Sequence, residues 1–176
     1  MNDKIAFLLN QQINKEFYSA YLYLDMANYY DELDLDGYAN YYMIQAQEER
    51  DHALLFLKYM QNNGLKIALD AIEKPDKTYE TILDPLVAAA EHERYVTALI
   101  NDIYHECHEA RDYRTMKFLD WFVDEQMDIA PCNNITDDHF SKPRAARERI
   151  RINGSHTRRN SNRRKTSAVI ERVIAN

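Results

Sequence analysis

Glu49 and His52 stand three residues apart, as Glu49-Arg-Asp-His52, inside a stretch with helical periodicity. On a helix that spacing puts a carboxylate and an imidazole on one face. The face is the one that should be apolar, since Tyr38, Tyr42, Gln45, Glu49, His52, Phe56 and Tyr59 recur along it at steps of three and four. An ionised carboxylate in a core is costly unless a cation pairs with it. The same reading along the chain puts Glu16, Glu93 and Gln126 on the inward stripes of three other helical segments. Three carboxylates, one imidazole and one amide carbonyl make an oxygen-rich donor set with a single nitrogen. Such a set suits iron or manganese better than a thiolate-seeking metal. No lysine or arginine falls on these stripes, so metal binding is favoured over a buried salt-bridge network. A carboxylate shared between two helices can also bridge two cations. Tyr23, two turns after Glu16 on the same stripe, is placed to hydrogen-bond a ligand or to supply an electron; an ordinary buried tyrosine is the alternative.

Four helical segments must position these groups. The first runs from about residue 3 to 30, with Ile5, Leu9, Gln12, Glu16, Ala20, Tyr23, Ala27 and Tyr30 on one face. A short acidic connection leads to the second, which Gly64 should stop. Residues 65–84 then form a connection far longer than the roughly 2–8 residues usual between neighbouring antiparallel helices. That length predicts a crossover, with the second and third helices parallel. The third begins at Asp84-Pro85 and carries Leu86, Ala90, Glu93, Val96, Ile100, Tyr104 and Cys107. The fourth is capped by Asp112 and carries Met116, Leu119, Val123 and Gln126. Pro131 should end or kink it after about 18 residues. The predicted class is all-α, a four-helix bundle with one long crossover and a shortened fourth helix.

Only 3 glycines and 4 prolines occur in 176 residues, in keeping with helices. No apolar run reaches the ~18 residues of a membrane span. Met1-Asn-Asp-Lys4 lacks the layout of a secretory signal, and two cysteines make no disulfide framework. A cytoplasmic protein is expected. The charge is divided: residues 1–128 hold 11 Lys+Arg against 25 Asp+Glu, whereas residues 129–176 hold 11 against 4. All 13 tyrosines precede residue 114.

Glu16-Phe-Tyr-Ser with Tyr23, Gln47-Glu-Glu-Arg-Asp-His52-Ala, Glu91-His-Glu93 and Phe118-Leu-Asp-Trp-Phe-Val-Asp-Glu-Gln126 keep one register over residues 1–128. Together they closely resemble the bacterial non-heme ferritins. The resemblance implies a ferroxidase centre, with Glu16, Glu49 and His52 as ligands of a first iron. It implies Glu49 and Glu93 as ligands of a second, Glu49 bridging, with Gln126 facing the pair. Glu48 and Glu125 match two ligands of a third, weaker iron site on the inner surface. The implied reaction is oxidation of Fe²⁺ to Fe³⁺ by oxygen or hydrogen peroxide. The product would pass to a mineral inside a homo-oligomeric shell of 24 subunits.

The resemblance stops soon after Gln126. Ile129 falls where such proteins usually carry a carboxylate, which implies weaker hold on the second iron; Asp128 could still serve the third site. Residues 131–176 are expected to form a separate part, basic and disordered, beside a bundle over residues 1–130. The abrupt switch from lysine to arginine is what a shifted reading frame near codon 128 would leave. The alternatives are a basic arm that binds nucleic acid and an inert extension. Those alternatives carry two other functions, a DNA-binding assembly protein and a truncated subunit that builds no storage shell.

Overall fold

Asn2 opens the first helix, its side chain accepting a 2.8 Å hydrogen bond from the amide of Ile5. In the computed structural model of the chain, residues 2–133 are described, with side chains through Gln126. They form four helices: α1 (Asp3–Asp31), α2 (Asp36–Asn62), α3 (Asp84–Glu109) and α4 (Tyr113–Asn133). No strand occurs among the described residues. All eight residues expected on the inner stripe of α1 are buried.

Three of the helix ends share one device. A residue just past the C-cap takes a left-handed conformation: Gly64 (φ 67°) and Arg111 (φ 56°) directly after it, and Asp34 (φ 57°) two residues after Glu32. In each case the next amide reaches back five residues: Leu35 to Tyr30, Leu65 to Met60 and Asp112 to Cys107. These reverse bonds satisfy carbonyls that the helix leaves without partners. Asp112 then caps α4, its Oδ1 accepting from the Thr115 amide at 3.1 Å. Leu83 rather than Asp84 is the N-cap of α3. The Asp84 carboxylate turns back instead and accepts from the amides of Glu80 and Thr81, both at 2.7 Å.

The connection across residues 63–83 is a crossover, and side chains of α1 hold it. The Asn10 amide exchanges two 2.9 Å hydrogen bonds with the backbone of Ala68. Asn14 donates to Ala71 O at 3.0 Å, and Tyr30 OH donates to Ile82 O at 2.7 Å. The chain therefore travels along α1 from its first third to its end. That journey returns it to the level where α2 began, and Tyr42 OH meets Pro85 O there at 3.5 Å. So α3 runs parallel to α2, as the connection's length predicts. The Lys4–Glu106 ion pair joins the start of α1 to the end of α3, and Tyr59 OH lies 3.0 Å from Thr115 Oγ1 where α2 ends and α4 begins.

Helix α4 continues through Pro131 to Asn133, the last described residue. The proline thus sits in the last described turn, where its missing donor removes one backbone bond. With 21 described residues α4 is the shortest of the four. The side chains of Asp128 and Ile129, and the expected disorder of the basic segment, lie outside the described residues. No described helix is long and apolar enough to cross a membrane.

The core divides in two along the bundle. One apolar cluster gathers Ile5, Leu9 and Ile13 with Phe56, Met60, Val96, Ile100, Ile103, Cys107, Leu119 and Phe122. The other is rich in tyrosine, with Leu22, Tyr23, Met26, Ala27, Tyr30, Tyr42 and Ala46. Tyr30 stacks on both Tyr38 and Tyr42, with ring centroids 4.7 and 5.6 Å away.

Candidate metal centre

Between the two apolar clusters the bundle buries acid. Glu16 on α1, Glu49 on α2 and Glu93 on α3 retain only 2%, 5% and 5% of their surface. Each lies where its stripe points inward, so the helices that bury the apolar clusters also bury these carboxylates. One ligand atom each from Glu16, Glu49 and His52 falls within 4.8 Å of the others. His52 Nδ1 stands 3.5 Å from Glu49 Oε2 and 4.0 Å from Glu16 Oε2. The Glu16 and Glu49 carboxyl groups lie close enough to act on each other's protonation.

Electrostatics agrees with the geometry. Burial raises the pKa of Glu16 well above its ordinary value, and repulsion from Glu49 adds to the rise. Burial and then the Glu93 charge push Glu49 up to about 8. Burial raises Glu93 too, with a further push from Glu16, while Tyr23 and the Gln126 amide pull it down. Without a cation, burial in the bundle thus favours the protonated form of each acid. A divalent metal would displace those protons and supply the missing charge.

Glu93 is not a member of the compact triad but faces it. Its Oε1 accepts from Tyr23 OH, and its Oε2 is sealed from solvent without a hydrogen-bond partner. A buried carboxylate oxygen with no donor is costly, and a metal ion is one group that would satisfy it. Tyr23 is itself buried, its pKa raised by burial and by Glu93. Gln126 is half-buried, and its Oε1 accepts from Thr97 Oγ1 at 2.5 Å. Glu48 is exposed and accepts from Gln45 Nε2 at 2.5 Å. Glu48 and half-buried Glu125 both lie close enough to Glu49 to raise its pKa. The structure therefore gathers Glu16, Glu49 and His52, sets Glu93 and Tyr23 opposite them, and leaves Glu48 and Glu125 at the margin.

Two supporting residues escaped the sequence reading. Gln12 lies on the predicted stripe, four residues before Glu16, and is 2% exposed. Its Nε2 donates to Glu16 Oε1 at 2.8 Å, so an amide and a carboxylate at that spacing were the available signal. Thr97, four residues after Glu93, gave no signal, because its partner is on another helix. The Trp121 ring packs edge-on at 5.4 Å from that of His52 and screens the imidazole on the α4 side.

The chain and its fold have counterparts among known proteins. The family model described as the Ferritin-like domain matches residues 7–130. The chain belongs to the ferritin family. Among curated relatives of this family member is a bacterial non-heme ferritin of Campylobacter jejuni. It is 35% identical over 126 residues, covering 72% of this chain and 75% of the relative. A bacterial non-heme ferritin of Staphylococcus epidermidis is 34% identical over 128 residues, covering 73% and 77%. Among solved structures, an open-pore ferritin of the archaeon Archaeoglobus fulgidus superposes with a TM-score of 0.72 at 33% identity, covering 80% of this chain and 92% of that one. The ferritin fold read from the sequence is thus the fold found.

Proposed function

We propose that this ferritin-family chain stores iron, and that it oxidises Fe²⁺ to Fe³⁺ at two adjacent positions inside the bundle. One observation carries the reading. Three buried carboxylates from three helices converge, and His52 is the only member of the cluster able to carry positive charge. Glu16, Glu49 and His52 hold the first iron, and Glu49 bridges to a second held by Glu93. Gln126 and Tyr23 face the second position. Glu48 and Glu125, outside the buried layer, hold a third iron more weakly and lead it away.

Iron is the substrate. Two Fe²⁺ side by side give up two electrons together, the number that takes oxygen to peroxide or peroxide to water. The protein's part is to fix the pair and to keep water from the buried side. Glu16 and Glu49, whose protonated forms burial favours, give up protons as iron enters, so the metal's charge takes their place. The names of the bacterial relatives support iron as the cargo, and the archaeal neighbour is itself a ferritin. Twenty-four copies of the chain would enclose the mineral in the cytoplasm.

The test is anaerobic loading with Fe²⁺ followed by exposure to oxygen, with ferric absorbance as the readout. Wild-type protein should oxidise two Fe²⁺ per chain in a fast phase, and Glu49→Ala should abolish that phase. An unchanged fast phase in the variant would remove Glu49 from the centre. Native mass measurement tests the shell separately.

A further inference from the structure

Thr97 Oγ1 carries one proton and has two acceptors in reach. Glu93 O lies at 2.8 Å and Gln126 Oε1 at 2.5 Å. Glu93 O is four residues back on the same helix, and it already receives the Thr97 backbone amide in the normal α-helical pattern. It loses nothing if the hydroxyl turns elsewhere. Gln126 Oε1 is the nearer acceptor, on a different helix, and is the better claimant. Its carbonyl is therefore occupied by Thr97. The other end of the amide, Nε2, is left free to turn to Glu93, whose own carbonyl shares the same hydroxyl.

That direction matters because an amide can present either a carbonyl, which ligates metal, or an N–H, which donates. The charge balance around Glu93 agrees with a donor, since the Gln126 amide favours the ionised form of that carboxylate. Glu93 Oε2, buried and without a hydrogen-bond partner, is the atom that a turned Gln126 amide would reach. Tyr23 already holds Oε1. Between them, Tyr23 and Gln126 would fix the plane of the carboxylate from both sides.

We propose that Thr97 is a positioning residue, whose hydroxyl locks Gln126 as a hydrogen-bond donor to Glu93 rather than as a ligand, and thereby sets the affinity of the second metal position. The inference rests on the two-metal reading given above. It assigns Gln126 a different part from the carbonyl donor suggested by its residue type.

Co²⁺ replaces iron in the test, because its visible spectrum reports the coordination sphere without oxidation of the metal. Calorimetry and spectra are recorded on wild type, Thr97→Val, Thr97→Ser and Glu49→Ala. Valine keeps the shape and removes the hydroxyl, whereas serine keeps the hydroxyl and removes the methyl group. Wild type should take two Co²⁺ per chain. Thr97→Val should weaken the second by roughly tenfold or more, the usual cost of removing a group that orients a ligand, and leave the first within about twofold. Its second-site spectrum should change as well. Thr97→Ser should stay within about twofold of wild type at both positions. The proposal falls if Thr97→Val keeps the wild-type second site, if serine fails as valine does, or if valine loosens both positions equally. Wild type that takes fewer than two ions, with Glu49→Ala indistinguishable from it, would overturn the two-metal reading itself and this inference with it.

Discussion

Glu49 is the residue on which the centre turns, because it touches both halves of it. Its carboxyl group pairs with Glu16 and feels Glu93, and its pKa rises from 4.5 to about 8. The consequence for stability has a definite sign. Between those two values the folded, metal-free chain binds more protons than the unfolded chain. Its stability is therefore fullest below the unfolded value, and it is lost as pH rises through the folded value. Each extra proton held contributes a slope of about 1.4 kcal/mol per pH unit. Glu16 and Glu93 shift in the same direction and steepen it. Melting of the metal-free protein should thus occur at lower temperature at about pH 8 than at about pH 5, and Glu49→Gln should flatten the trend. A melting temperature that climbs with pH over that window would show that the acids are not held protonated in the fold.

At the scale of the helices, the ends carry more strain than the middles. Gly64 adopts its left-handed conformation freely, but Asp34 and Arg111 do the same with a side chain present. An L-residue there costs about 1–2 kcal/mol, less for aspartate, whose short polar chain tolerates the region. Arginine has no such excuse. Arg111→Gly should stabilise the chain by about 0.5–1 kcal/mol, after allowance for the greater freedom of glycine in the unfolded state. Denaturant titration measures it, and a loss of stability would mean that the Arg111 side chain does more than turn the chain. The helices themselves were legible in the sequence because their stripes are long and regular; the full predicted stripe of α1 is buried, with Glu16 among its apolar members. The crossover was legible from its length alone. Two things were not. Pro131 read as an end or a kink, yet α4 is described through it as far as Asn133, at the cost of one backbone bond. Thr97 was invisible, because its partner Gln126 lies on α4, and spacing within one helix says nothing about the rotation of another. Periodicity thus found the acids that the bundle buries, and missed the hydrogen bonds that Gln12 and Thr97 make beside them.

Across the whole described bundle, negative charge outweighs positive: residues 1–128 carry 25 Asp+Glu against 11 Lys+Arg. Such a field draws cations toward the protein before any ligand is reached. Metal that reaches the buried acids binds the folded chain and not the unfolded one. At a free concentration one hundred times its dissociation constant it should add about 2.7 kcal/mol per site. The gain should be larger at about pH 8 than at about pH 5, because protons compete for the same oxygens. Thermal melts with and without Co²⁺ at the two pH values check it; equal shifts at both would argue against carboxylate ligands. The divided core has one more consequence. An apolar cluster drawn from all four helices lies on one side of the acid layer, and a tyrosine-rich cluster from α1 and α2 lies on the other. Without metal, the two sides are joined by the helices they share and by the acid layer between them. Backbone amides around Tyr30 and Tyr42 should then exchange with solvent through partial openings that leave the amides around Ile100 and Leu119 protected, and loading the acid layer should merge the two into one cooperative unit. Iron, on this view, is cargo that also decides whether the bundle opens in pieces or as a whole.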